Sequence, residues 1–322
     1  MRPPEWHSDL AEAMQLFVAY KRALNRKYRT EVAALRLFDR YLCDNNSGGW
    51  DEIDSAVIDQ FLQSRPRVRP RSYNHLRGVL NCFFKWAVVQ GLTELNPVVA
   101  RRRRDTGKRI PYLFDLNGAK RLLEVARSLP NRSRAPHRGL VYETIFALLY
   151  GLGLRVGEVS RLKLRDIDCS RDALFIRDTK FSKSRLVPLG PKLAQRVRNY
   201  IAERYGNGAD AETPLFSFTK RGCISEGTIS QTFHQLVPLL GLHVPPGTSQ
   251  PRTHDLRHSF AVGTLLRWYR EGTDPNNRLI RLAVFLGHVD PCSTAVYLTI
   301  TEELLREADQ RFRRFALKGA GE

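Results

Sequence analysis

The reading of this chain turns on three neighbouring stretches, His254-Asp255-Leu256-Arg257-His258, Leu286-Gly287-His288 and Ala295-Val296-Tyr297-Leu298. Between the first two lie apolar residues at helical spacing, over Leu256 to Tyr269 and Leu279 to Leu286, so the block reads as consecutive helices. Arg257 follows His254 at the spacing that puts imidazole and guanidinium on one helical face. Taken alone, His258 reads as a satisfied core histidine and Tyr297 as a core aromatic. Tyr297, however, follows His288 across the turn Val289-Asp290-Pro291. An arginine, histidines and a tyrosine gathered this way suit phosphodiester chemistry.

Composition points the same way. The chain has 322 residues, with 52 Lys and Arg against 33 Asp and Glu, a formal net charge of +19. Such a field attracts polyanions, of which nucleic acid and a membrane surface are the candidates. The basic residues are interleaved with apolar ones along the whole chain, which favours a folded nucleic-acid-binding surface over a basic tail. The cysteines are odd in number and far apart, at 43, 82, 169, 223 and 292, with no metal-ligand spacing. Reduced thiols, the absence of an apolar N-terminal run and the lack of a membrane-length apolar stretch predict a cytoplasmic protein. His254 and His258 stand at a spacing seen in metal sites, but Arg257 would place a fixed cation beside any metal. The Gly-rich turn Gly151-Leu152-Gly153-Leu154-Arg155 lacks the spacing and the lysine of a phosphate-cradling loop. Its glycines read instead as letting an arginine sit where backbones approach closely, with Glu158 as a salt-bridge partner.

Upstream, four helical patterns fill residues 1–95: Leu10 to Leu24, a second with Thr30 as its N-cap, Ser55 to Gln63, and a fourth opening at Ser72 and ending at Gly91. Arg67, Arg69 and Arg71 punctuate the loop before the fourth helix and are candidate phosphate contacts. Asn96-Pro97 stops that helix. A basic linker over 96–110, with Arg101, Arg102, Arg103 and Arg104, is expected to track a DNA backbone. Residues 111–322 form the second domain. Helices alternate there with a small antiparallel sheet between Leu162 and Leu189, and an amphipathic segment from Glu302 to Leu317 closes the chain.

Arg155 with Glu158, the basic hairpin ending Arg185-Leu186-Val187-Pro188-Leu189, the His254 to His258 box, Leu286-Gly287-His288 and Tyr297 occur together in one order. In that order and approximate spacing the chain resembles the tyrosine recombinases, the phage-integrase and Xer-like strand-exchange enzymes. The resemblance implies a mainly α fold: a SAM-like four-helix core-binding domain, and a mostly helical catalytic domain with a small antiparallel β-sheet, forming a C-shaped DNA clamp. It implies a site-specific recombinase or integrase, of the kind carried by mobile elements and used in transposition. Tyr297 would be the nucleophile that forms a 3′-phosphotyrosyl bond, and Arg155 and Arg257 would hold the non-bridging oxygens. His254 and His288 would orient the phosphate and share proton transfer, with Glu158 and His258 as supports. Lys180 matches the hairpin lysine that protonates the leaving oxygen, and Lys183 is its rival. The covalent link conserves the phosphodiester energy, so the resemblance implies no cofactor, neither ATP nor a metal. The implied partners are double-stranded DNA, further copies of the chain in a tetrameric synapse, and related recombinases.

Two departures stand out. The connection Arg270 to Arg278 is longer than usual, and the histidine that often follows the nucleophile is absent after Tyr297. Three other readings compete: a type IB topoisomerase-like nicking and resealing enzyme, a non-catalytic DNA-binding regulator on the same fold, and a metal-dependent nuclease using His254 and His258.

Overall fold

Apolar residues at intervals of three and four draw the N-terminal part of the chain into α1 (Ala11–Ala23), α2 (Arg29–Asp44), α3 (Ser55–Ser64) and α4 (Pro70–Val89). Their inner faces bury an aromatic core, in which Phe17 meets Phe83 edge-on at 5.5 Å and Phe38 meets Phe61 at 5.0 Å. The computed structural model describes residues 6–46, 49–104, 110–177, 184–206, 208–218, 222–273, 275–288, 292–295, 297, 306 and 309. The chain divides into two units, Met1–Lys108 and Arg109–Glu322, each with its own core.

Helix starts in the first unit follow local chemistry. The Asp54 side chain accepts from Val57 N at 2.9 Å and caps α3, and Pro70 occupies the first turn of α4, where its missing N–H costs nothing. α4 therefore opens before Ser72. The expected cap at Thr30 is also displaced. α2 begins at Arg29 behind Tyr28, whose φ of 46° turns the chain, and the Thr30 hydroxyl donates to Glu31 at 3.0 Å. After α4, the basic stretch does not leave the unit at once. Val98 is buried in the first core, Asn74 clasps both the N–H and the carbonyl of Arg103 at 2.8 and 2.7 Å, and the Arg77 side chain donates to Ala100 O.

The second unit is built around α6 (Arg138–Leu152), whose apolar residues are buried on nearly every side, between α5 (Leu116–Arg127), α8 (Pro191–Tyr205) and α10 (Thr253–Arg270). A helix apolar all round belongs in a core. β1 (Ile167–Asp168), β2 (Ala173–Ile176) and β3 (Arg185–Pro188) form an antiparallel sheet in that order, with Leu174 opposite Val187 and Ile176 opposite Arg185. α7 (Val156–Arg161), α9 (Glu226–Leu236), α11 (Pro275–Leu286) and α12 (Cys292–Ala295) complete the described elements. Helices dominate, and the one sheet among the described residues is small. None of the described helices is long and apolar enough to cross a membrane.

Candidate active site

Two tight helix ends and two helix starts bring distant segments of the second unit together. α6 ends at Gly153 with φ +60°, where a Cβ would lie 2.6 Å from Phe260 and 2.9 Å from Leu286, so only glycine fits. Arg155 then caps α7, its N–H donating to the Glu158 carboxylate at 3.0 Å. α10 begins at Thr253, earlier than its apolar pattern indicates, because Asp255 accepts from Arg252 N at 2.9 Å. That extra turn puts His254 on the helix with Arg257 and His258. α11 ends in a C-terminal turn, with Gly287 at φ +68° and His288 N donating to Ala283 O at 2.9 Å.

Guanidinium groups converge on this end of α11. Arg185 donates through Nε to Phe285 O at 2.8 Å, Arg257 through Nη2 to Leu286 O at 2.7 Å, and Arg155 through Nη2 to Gly287 O at 2.9 Å. Arg257 also donates through Nη1 to Gly153 O at 2.7 Å. Helix C-terminal carbonyls carry partial negative charge and lack intrahelical donors, so three cations satisfy them and hold the turn that presents His288. Glu158 is bound by both forks: Arg155 Nη1 lies 2.8 Å from Oε1, and Arg185 Nη1 and Nη2 lie 3.0 and 2.9 Å from Oε1 and Oε2. Rings close the other side. His258 meets His254 edge-on at 4.7 Å and Tyr297 at 5.4 Å, and His288 lies nearly parallel to Tyr297 at 6.2 Å.

The charge balance of this cluster is uneven. Arg155 and Arg185 share the carboxylate of Glu158, while Arg257, only 1% exposed, pairs with the carbonyls of Gly153 and Leu286. Buried, incompletely neutralised guanidiniums favour an anion with several acceptor oxygens. The same field acts on every titratable neighbour. Burial, then Arg257, lowers His254 and His288 to about 4, so both imidazoles are neutral at pH 7. Burial and Arg155 lower Arg257 to about 10, which leaves it charged. Burial would raise Glu158, but the hydrogen bonds and charge of Arg185, with those of Arg155, hold it at about 2. Burial raises the Tyr297 hydroxyl while Arg257 and Arg155 pull it back down. Burial is the larger influence, so the Tyr297 hydroxyl stays protonated and held above the ordinary phenol value.

Of the residues singled out in the sequence, Arg155, Glu158, His254, Arg257, His258, His288 and Tyr297 are brought together. Lys180, Lys183 and the segment Glu302 to Leu317, apart from Arg306 and Asp309, lie outside the described residues. Arg67, Arg69, Arg71 and Arg101 to Arg104 belong to the first unit. Among them Arg103 is tied down: its guanidinium sits 3.9 Å from the Tyr73 ring centroid and donates to Arg67 O at 2.9 Å. Among the described residues, no three His, Cys, Asp or Glu side chains are grouped to hold a metal. Sequence reasoning passed over two residues. Arg185 was visible only as part of a basic hairpin, and nothing in the pattern marks it as the partner of Glu158. Thr294, fully buried, has its hydroxyl 2.6 Å from His288 Nδ1. A threonine one turn before a tyrosine carries no signal of that pairing.

Residues 114–303 match the Phage integrase family. A protein assigned as an integrase/recombinase in Sinorhizobium fredii, y4rB, is 34% identical over 311 residues, covering 95% of this chain and 98% of that protein. Tyrosine recombinase XerC of Xanthomonas campestris is 27% identical over 274 residues, covering 84% and 76% respectively. The fold is shared with the Tn1549 transposon integrase in complex with transposon right end DNA, at a TM-score of 0.64 and 18% identity, over 94% of this chain and 99% of that one. It is also shared with a lambda integrase dimer bound to a COC′ core site, at a TM-score of 0.63 and 19% identity, over 89% and 76%.

Proposed function

The chain belongs to the phage integrase family of tyrosine recombinases, and from that premise we propose that it cuts and rejoins DNA at a specific site through a 3′-phosphotyrosyl bond to Tyr297. The observation that carries the reading is the convergence of Arg155, Arg257, His254 and His288 beside Tyr297, with more guanidinium than carboxylate in the cluster. A scissile phosphate diester supplies the missing anion. Arg155 and Arg257 hold its non-bridging oxygens and gain strength as charge builds on them in the pentacoordinate transition state. Their contacts to the α11 carbonyls fix both forks before DNA arrives, so little reorganisation is left for the reaction itself.

The Tyr297 oxygen attacks phosphorus, its proton passing to a neutral imidazole of the cluster. The bond from phosphorus to the 5′-oxygen breaks, and that oxygen takes a proton from Lys180 or Lys183 and departs as a hydroxyl. Because the phosphodiester becomes a phosphotyrosyl ester of similar energy, a 5′-hydroxyl from a second strand can reverse the step without ATP. We place the action on double-stranded DNA, with the basic surfaces of both units on its phosphates and several copies of the chain assembled at paired sites. The Tn1549 integrase on its transposon end supports a mobile element as the setting.

A nicked suicide substrate tests the assignment. With the natural site, found by sequencing the DNA ends trapped on the protein, the wild-type chain is expected to accumulate a covalent adduct. Tyr297→Phe is expected to give none, and an adduct that persists in that variant would sink the nucleophile.

A further inference from the structure

Thr294 is wholly buried, and its hydroxyl is 2.6 Å from His288 Nδ1. A buried hydroxyl needs a hydrogen-bond partner, and this one has it on the ring rather than in water. A neutral imidazole carries one N–H, so whatever occupies Nδ1 decides what Nε2 offers to a ligand. The pair is symmetric in distance: either the hydroxyl donates to Nδ1, or Nδ1–H donates to the hydroxyl. The surroundings break the symmetry. Arg155, Arg185 and Arg257 line the end of α11 from which His288 projects, a setting built for an anion with acceptor oxygens. A lone pair on Nε2 would oppose such an oxygen, whereas an Nε2–H would donate to it.

We propose that Thr294 is a positioning residue whose hydroxyl donates to His288 Nδ1, holding the ring proton on Nε2 and presenting that N–H to the DNA phosphate. The inference rests on the reading that a phosphate occupies this cluster. It adds a geometric link as well. Thr294 precedes Tyr297 by three positions, and His288 lies nearly parallel to the Tyr297 ring. One hydrogen bond thereby registers the nucleophile's segment against a phosphate donor. The half-buried His288 is neutral at pH 7, so the tautomer rather than the charge state is what Thr294 controls.

The test uses the full chain with 15N-labelled histidine, its His288 signals identified by their loss in His288→Gln. At pH 7.5 and without DNA, the nitrogen shifts of His288 are expected to show Nε2 protonated and Nδ1 as a hydrogen-bonded acceptor. Thr294→Val, which keeps the shape and removes the hydroxyl, is expected to alter that pattern and to slow adduct formation at saturating DNA by about tenfold, the scale on which losing an orienting partner acts. Thr294→Ser is expected to restore both. A wild-type ring protonated on Nδ1 overturns the proposal, as does a Thr294→Val variant in which either the pattern or the rate is unchanged, or a Thr294→Ser variant that restores neither. Failure of the recombinase reading looks different. An adduct on Tyr297→Phe would remove the nucleophile and leave the imidazole measurement, made without DNA, standing.

Discussion

Arg185 shows how one side chain can hold a site without facing its ligand. Its side chain is 10% exposed, with both terminal nitrogens on Glu158 and Nε on Phe285 O. It thus ties β3, α7 and the end of α11 into one joint. Gly287 is cut to fit it, since a Cβ there would come within 2.6 Å of the guanidinium. Arg185→Met would leave a buried carboxylate with one cation in place of two and a helix-end carbonyl without its donor. Breaking a buried pair from one side costs about 3–5 kcal/mol, and because Arg155 stays on Glu158 the lower end, about 3 kcal/mol, is expected. Urea unfolding monitored through the second unit measures it. Arg185→Lys keeps the charge and loses the fork, so it should recover only part of the difference. A loss below about 1 kcal/mol would mean that the joint does not depend on Arg185.

The segment from Asn96 to Arg104 places a limit on what a charge run reveals. Four consecutive arginines read alike in the sequence, but the chain treats one of them differently. Arg103 stacks on Tyr73, donates to Arg67 O and has its backbone clasped by Asn74, whereas no hydrogen bond of the Arg101, Arg102 or Arg104 side chain is found among the described residues. Each phosphate contact removed lowers the slope of log affinity against log salt by about 0.9. Neutralising Arg101, Arg102 and Arg104 together is therefore expected to flatten that slope by up to about 2.7 for a short duplex carrying the site. Arg103→Gln should instead lower the thermal stability of the first unit and leave the slope nearly unchanged. If Arg103→Gln flattens the slope as each of the others does, the clasp gives way when DNA binds. The same contrast explains how much was legible beforehand. Helices with strong apolar periodicity were readable from spacing because core packing constrains residue type, whereas the grouping of Arg155, Glu158, His254, Arg257, His288 and Tyr297 was an expectation from the family resemblance and not from periodicity. The first turn of α10, the start of α2 and the docking of 97–104 were readable from neither. They depend on one hydrogen bond accepted by Asp255, two made by Asn74 and the left-handed turn at Tyr28, which leave no periodic trace.

Across the whole molecule, two separate cores meet an uneven distribution of acid-sensitive groups. The first unit buries its own aromatic cluster, while Glu158, His254 and His288 all lie in Arg109–Glu322. His254 and His288 titrate near 4 in the folded chain against an ordinary 6.5, so below pH 6.5 the unfolded chain takes up protons that the folded one refuses. Their contribution opposes folding progressively from pH 6.5 down to about 4 and then levels off. Glu158, at about 2 against an ordinary 4.5, gives stability that is complete above pH 4.5 and is lost as pH falls toward 2. Both signs agree, so acid weakens the second unit in two overlapping windows. His254 is exposed to water, which screens most of its share, and the half-buried His288 and buried Glu158 carry most of the effect. Scanning calorimetry between pH 7.5 and 3 is expected to resolve two transitions, with the one belonging to the second unit moving down first. Each kcal/mol lost lowers its midpoint by about 2–4 °C for a unit of this size. His288→Gln should remove part of the dependence between pH 6.5 and 4.5 and leave the fall below pH 4.5 intact, because that limb belongs to Glu158. Two transitions that move in parallel, or a His288→Gln profile identical to wild type, would place the acid-sensitive groups outside this cluster.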